Sequence, residues 1–398
     1  MNILIIPTND WVRAPGHGHI DYIAEKLAER GHKVYAWNFD IYRSEQVKRI
    51  PKKVKLIKSR TLWLRDPALF FFVNAIFHGP AMFKTIRDLK IDVVINENIF
   101  SGLVAFLVSN SLVLRVFDFS DYFPESASIY YENASLIMIM KKKMVEAVTL
   151  TITNLNIKTS DVCLSVCQSL INNVHRVDPK KLCYFLPNTA DISKHKILRN
   201  EQKENGNDKP AGPIIVIMGV IDNWLDLTTP LRALKILCSN FPDIKIVIIG
   251  PWRNKEFKNC IEDFIEHEEL TSHVLITGYV SDQLLANHLN SASFCIMPYR
   301  TDSYSSIIRL PEKLFVYSAY GKPILSTPLP EVMTLGPEHV SFYHDVNELA
   351  KMASAILTEK ELKLRLSSKA LEFARKYDIS VLAERLENIL LENLPQRQ

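Results

Sequence analysis

The sequence has no Cys-x-x-Cys pair, no large excess of either charge and no unbroken run of about 20 apolar residues, and each absence closes off a class of protein. Its six cysteines, Cys163, Cys167, Cys183, Cys238, Cys260 and Cys295, are scattered through apolar stretches. They read as reduced, mostly buried thiols, neither a disulfide framework nor a zinc site, and so as a cytoplasmic signature. Lys and Arg total 48 against 44 Asp and Glu, and the resulting charge of +4 does not suggest the concentrated basic face used to bind nucleic acid. The apolar run in MNILIIPTND is too short for the apolar region of a signal peptide and reads as a first strand. The longest apolar candidate, residues 99–117, is broken by Ser109-Asn110-Ser111 and by Arg115. A helix feeding a strand explains it better than a membrane span.

What remains is the composition of a soluble globular chain, 47% hydrophobic and 23% charged. At 398 residues it exceeds one ordinary core and predicts two domains with a cleft. Short β-branched runs alternate with helical ones through the first half: NILIIP, IDYIAEKLAERG, KVYAWNF, DVVINE, LVLRVF and VCLSV. The alternation restarts at IIVIMG and continues through IKIVIIG, VLITG, SFCIMP and PILSTP. Strands separated by helices of this length imply parallel βαβ units. The expected architecture is α/β, with two facing, doubly wound, Rossmann-like domains at residues 1–194 and 195–375. A C-terminal helix at 376–398 is expected to pack back on the first domain. The charged, apolar-poor stretch RNEQKENGNDKPAG (199–212) reads as a flexible surface segment near the junction.

In open parallel sheets, ligands collect at the carboxyl ends of the strands. Those ends carry Gly219, Gly250, Gly278 and Pro298-Tyr299 in the second half. Three glycines in succession, each opening a βα loop, let a phosphate-bearing ligand approach the backbone. The segment LPEKLFVYSAYGKPILSTPLPEV (310–332) then predicts a helix opening at Pro311 with Lys313 in its first turn. A lysine there opposes the helix dipole and wants an anionic partner.

These stretches resemble the nucleotide-sugar glycosyltransferases of the GT-B fold, particularly the large retaining family 4. The resemblance covers nearly the whole chain and is carried by MGVIDNWLDL (218–227), VIIGP (247–251), LITGYVSDQLLANHLNSASFCIMPYR (275–300) and the 310–332 segment. It implies a UDP- or GDP-sugar as donor substrate, with no separate cofactor. Arg300 and Lys313 would neutralise the diphosphate, because no Asp-x-Asp motif stands at a strand end to hold a metal. Gly278, Tyr279 and Val280 would offer backbone groups to the base, and Tyr299 would line the pocket. Asn223, Gly250, Pro311 and Leu314 belong to the same donor motifs.

The chain departs from the family in three places. Val316 replaces a glutamate that resembles a ribose acceptor, so the ribose would be held by backbone or by Tyr317. Ile308 replaces the earlier glutamate of the E-x7-E pattern, and Ser305 and Ser306 would serve the sugar or phosphate instead. The basic pair that relatives place after the first loop of the second domain is missing, with Val220 and Leu225 near those positions.

In the first domain, RAPGHGHIDYIAEKLAERGHKV (13–34) places a glycine-rich loop before a helix, and Gly18 and His19 are expected to meet the acceptor. His17 and His19 alone are too few ligands for a metal site. VFDFSDYFPES (116–126) holds Asp118 and Asp121. It also resembles, more weakly, the L-x-x-R-x-x-D stretch of membrane-associated glucuronosyltransferases, in which the matching aspartate is the base. If configuration inverts, Asp118 is the base; if it is retained, the leaving phosphate takes the proton and Asp118 orients the acceptor. Capping or loop hydrogen bonds are the plainer role for both aspartates.

Aromatic and basic residues interleave at 63–90 and 138–147, a pattern suited either to an anionic membrane surface or to ordinary core helices with solvated lysines. The reading as a whole is a glycosyltransferase acting on a saccharide or lipid-linked saccharide in surface polysaccharide or glycoconjugate synthesis. It would work in the cytoplasm, at the inner face of the membrane. The alternatives are a sugar-nucleotide epimerase of the same fold and a degenerate, non-catalytic binding subunit.

Overall fold

The computed structural model describes residues 1–8, 10–13, 19–39, 51–128, 135–194, 212–302 and 308–396. His17, Gly18, Ser305, Ser306 and nearly all of the expected junction segment lie outside the described residues. The chain divides into two compact units, Met1–Pro187 with Ile379–Gln398, and Asn188–Asp378.

The first unit is built on seven parallel strands, β1 (Asn2–Ile6), β2 (Lys33–Asn38), β3 (Lys55–Lys58), β4 (Val93–Asn96), β5 (Leu114–Phe119), β6 (Val162–Ser165) and β7 (Leu182–Phe185). They lie in the order β3-β2-β1-β4-β5-β6-β7. Helices α1 (His19–Glu29), α2 (Pro67–Asp88), α3 (Ile99–Val108), α4 (Phe123–Ser128), α5 (Leu136–Thr159) and α6 (Gln168–Val177) connect them. The inner strands are short runs covered on both faces, as parallel sheets require; VVIN of β4 and VCLS of β6 are buried throughout. The edge strands KLIK and LCYF are half exposed, and neither stands out in the sequence as a β-branched run. The connection from β1 leads outward to β2, whereas β4 leads the other way to β5. The carboxyl ends of β1 and β4 therefore flank the switch point, where such sheets open for a ligand.

The second unit repeats the plan with β8 (Ile214–Met218), β9 (Lys245–Ile249), β10 (Val274–Gly278), β11 (Ala292–Met297), β12 (Ile324–Ser326) and β13 (Val340–Phe342). Their order is β10-β9-β8-β11-β12-β13, so the switch point falls between β8 and β11. Its helices are α7 (Thr228–Cys238), α8 (Lys255–His267), α9 (Asp282–Ser291), α10 (Glu312–Ala319), α11 (Pro330–Leu335), α12 (Val346–Thr358) and α13 (Lys360–Lys376). Thr189 Oγ1 donates to the Tyr377 carbonyl at 2.6 Å and Ala190 bridges Asp378, which ties the first and last residues of this unit together.

The last helix, α14 (Ile379–Asn393), belongs to the first unit and packs on α1. Leu382, Leu386 and Leu390 are its buried stripe, and Glu387 holds His32 at 2.6 Å. Two further features differ from the sequence reading. Among the described residues, the helix long and apolar enough to cross a membrane is Ala68–Asp88, not the 99–117 stretch, although 39% of its most apolar window is buried in the protein. Of the six free thiols, Cys163, Cys167 and Cys295 are buried, while Cys260 is exposed on α8. Leu386→Ala is predicted to destabilise the protein by about 2–5 kcal/mol in urea unfolding, the cost of a cavity between α14 and α1. A surface helix docked loosely at the C-terminus would lose far less.

Candidate functional site

In the second unit the chain is drawn tight at the ends of β8 and β9. Gly219 (φ 116°) donates its N–H to the Ile249 carbonyl at 2.9 Å, and Gly250 (φ 135°) donates to the Gly278 carbonyl at 2.8 Å. A Cβ on Gly250 would lie 1.9 Å from the Gly219 oxygen, and a Cβ on Gly219 would lie 2.3 Å from Cε of Lys313. The lysine of the first turn of α10 therefore lies directly across the end of the first strand. This is the geometry that the sequence assigned to an anion site.

Lys313 has company there. Its Nζ stands 4.9 Å from the ring centre of Tyr299. The guanidinium of Arg309 lies 5.2 Å from the same ring and 5.6 Å from that of Trp224, and Arg253 lies 5.8 Å from Trp224 on the β9 side. Three cations thus alternate with two rings, each contact within cation–π range. Arg253 also approaches Asp222 at 3.9 Å. Among the described residues, neither Arg309 nor Lys313 pairs with a carboxylate. Two like charges that share the Tyr299 ring repel one another, and an anion would relieve that cost.

The remaining donor-side expectations are placed as follows. Arg300 is half exposed and engaged with Asp302 at 2.6 Å, so Arg309 and not Arg300 shares the ring system with Lys313. Tyr317 is fully buried and its hydroxyl accepts the Met218 N–H at 2.9 Å, which removes it as a ribose holder. Leu314 is core and Pro311 caps α10, so both position the start of the helix. Asn223 is exposed on the loop after β8, Tyr279 is exposed after Gly278, and Val280 beside it is half-buried. Trp224, Arg253 and Arg309 were not singled out from sequence. They come from three separate loops, and only the fold makes them neighbours.

In the first unit, polar groups collect at the switch point between β1 and β4. His19 opens α1, Glu97 follows β4 and Asp118 lies on β5; all three are buried. His19 Nε2 stands 3.3 Å from Asp118 Oδ2. One donor atom from each of His19, Glu97 and Asp118 falls within a 4.8 Å group, a donor set that could hold a metal ion. Burial, reinforced by the charges of Asp21 and Asp118, pushes the Glu97 carboxyl well above its usual value. A carboxyl whose neutral form is favoured, set beside an imidazole and a second carboxylate, is also suited to hand on a proton. Asp121 is exposed outside this cluster. Glu97 had escaped notice in sequence because nothing in DVVINENIF marks it as facing His19.

The comparisons with known proteins agree with this picture of the fold. Residues 212–359 match the family model described as Glycosyl transferases group 1, which covers most of the second unit. A search of curated proteins found no match. Among solved structures, sucrose-phosphate synthase from Thermosynechococcus elongatus superposes with a TM-score of 0.70 at 14% identity, covering 98% of both chains. HepE of Anabaena, solved in complex with UDP, gives 0.69 at 13% identity over 98% of this chain and 100% of its own. WaaG, a glycosyltransferase involved in lipopolysaccharide biosynthesis, gives 0.67 at 14% identity over 98% and 99%. The chain has the two-domain α/β fold of GT-B glycosyltransferases.

Glu97→Gln tests the buried acid. Because the folded state holds this proton more tightly than the unfolded chain, native stability falls as pH rises from the ordinary value of 4.5 toward the raised one. The glutamine variant, which mimics the protonated acid, is predicted to melt higher than the native protein at about pH 8, with the gap closing near pH 4.5. A pH-independent gap in thermal melts would place Glu97 outside this role.

Proposed function

We propose that this chain is a retaining, metal-independent glycosyltransferase that moves a sugar from a nucleotide-sugar donor, a UDP- or GDP-sugar, to a saccharide or lipid-linked saccharide acceptor. The observation that carries the proposal is the array Arg253, Trp224, Arg309, Tyr299 and Lys313 over the strand ends of the second unit. A nucleoside diphosphate is a ligand that such an array suits. The phosphates meet three cations and the tight glycine turns, and the charge that develops on the leaving diphosphate is met without a metal. The complex of Anabaena HepE with UDP supports uridine as the base. Work at the inner face of a cell membrane, in surface polysaccharide or glycoconjugate synthesis, is part of the same reading.

In the retaining course, the departing phosphate oxygen takes the proton of the acceptor hydroxyl, and His19 with Asp118 orients that acceptor. The 3.3 Å contact between the two favours a second reading, in which configuration inverts. There His19 takes the hydroxyl proton and Asp118, fully buried behind it, stabilises the imidazolium. Asp118 has no exposed surface, so in either course it acts through the imidazole.

Calorimetric titration with UDP, GDP and their sugar conjugates tests the donor assignment. Lys313→Ala and Arg309→Ala are each predicted to weaken binding of the preferred nucleotide about tenfold or more, the loss of one hydrogen bond to a charged group. Unchanged affinity in both would remove the array from the mechanism. Transfer is predicted to persist in EDTA and to fall in His19→Ala, and proton NMR of the product's anomeric centre separates retention from inversion. Conversion of donor without acceptor would identify an epimerase, and nucleotide binding without any turnover a binding subunit.

A further inference from the structure

We infer that the outer face of the α2, α3 and α5 layer of the first unit docks on an anionic lipid bilayer. Among the described residues, 27 large hydrophobic side chains are exposed, and 17 of them fall within residues 62–155, less than a quarter of the chain. They recur at helical spacing: Leu69, Phe72 and Ile76 on α2, and Ile137, Met140 and Met144 on α5. The exposure is large, reaching 62% at Ile76 and 76% at Ile137. These stripes are not the core faces of their helices. Phe70, Met82 and Ile86 of α2 and Val145 and Ile157 of α5 are already buried inward. α3 packs against both α2 and α5, so the three helices form one layer.

α2 has the length and composition of a membrane span, but its buried polar residues hold it along the protein. Asn74 takes the Leu62 N–H and donates to the Leu62 carbonyl, both at 2.8 Å, and His78 Nε2 stands 2.8 Å from the Arg60 carbonyl. These bonds fix the chain that precedes the helix, where Trp63 is 57% exposed. A tryptophan beside an apolar stripe is suited to the headgroup boundary. The helix is therefore placed to lie on a bilayer, not to cross it.

Charge selects the occupant. Residues 60–90 carry five Lys and Arg against two carboxylates, and α5 carries four Lys against one Glu. Each segment thus has an excess of three positive charges in a chain whose total is +4. A second copy of the chain would set like charge against like charge across this face. An anionic lipid surface satisfies the apolar stripes and the lysines together.

The inference rests on this face alone and stands or falls independently of sugar transfer. The test is co-sedimentation of the full chain, at low salt, with phosphatidylcholine vesicles that contain about a third phosphatidylglycerol, and with pure phosphatidylcholine vesicles. Binding is expected to the anionic vesicles. It is expected to weaken at least about tenfold in Lys142→Glu/Lys143→Glu and in Phe72→Ser/Ile76→Ser, with nucleotide titrations unchanged in both variants. No binding at low salt would overturn the proposal, as would equal binding to both vesicle types. Sedimentation velocity showing a dimer that Phe72→Ser/Ile76→Ser dissolves would assign the face to self-association instead.

Discussion

Gly219 and Gly250 have no room for side chains: a Cβ on Gly250 would meet the Gly219 oxygen at 1.9 Å, and one on Gly219 would meet Lys313 Cε at 2.3 Å. Their left-handed backbone lets the ends of β8 and β9 close on each other and leaves a floor on which Lys313 can lie. Everything proposed for the second unit depends on that close approach. It sets Lys313 beside Tyr299, which brings in Arg309, whose other side meets Trp224 and through it Arg253. A β-carbon on Gly250 would force backbone apart, and one on Gly219 would push the Lys313 side chain off its place across the strand end.

The first unit solves a different electrostatic problem at the equivalent place. Two carboxyls and an imidazole are withdrawn from water at the β1/β4 switch point, with Asp21 also buried nearby. Several negative charges share such a volume only at a cost, which shifts Glu97 toward its neutral form while Asp118 stands against His19. One sheet end thus concentrates positive charge for a ligand, whereas the other buries proton-handling groups. The proposed transfer reaction would draw on both, with the cations for the donor and the imidazole–carboxylate pair for the acceptor.

Much of this was legible in the sequence. The alternating pattern marked the inner strands because buried parallel strands must be apolar on both faces, and the glycine at each strand end marked the turns. The short edge strands β3 and β7 escaped because edge strands carry a mixed pattern. Lys313, His19 and Asp118 stand out in the sequence because each sits at a predicted element boundary. Arg253, Arg309 and Glu97 were not, since a residue's partners across a sheet end leave no local trace. The sequence pointed to Arg300, which pairs with Asp302, whereas Arg309 is the arginine that meets the Tyr299 and Trp224 rings.

The three departures from the family pattern also fit together once the cations are placed. Against the pattern the chain resembles, Val316 and Ile308 stand where two carboxylates would be, and Arg253 and Arg309 would take the place of the basic pair absent near Val220 and Leu225. Under the proposed function, a site with fewer acceptors and the same cations would favour the diphosphate over the ribose as the anchor of the donor. In a transfer of the proposed kind, binding energy concentrated on the diphosphate would grow as negative charge builds on the leaving group, and so would be strongest in the transition state.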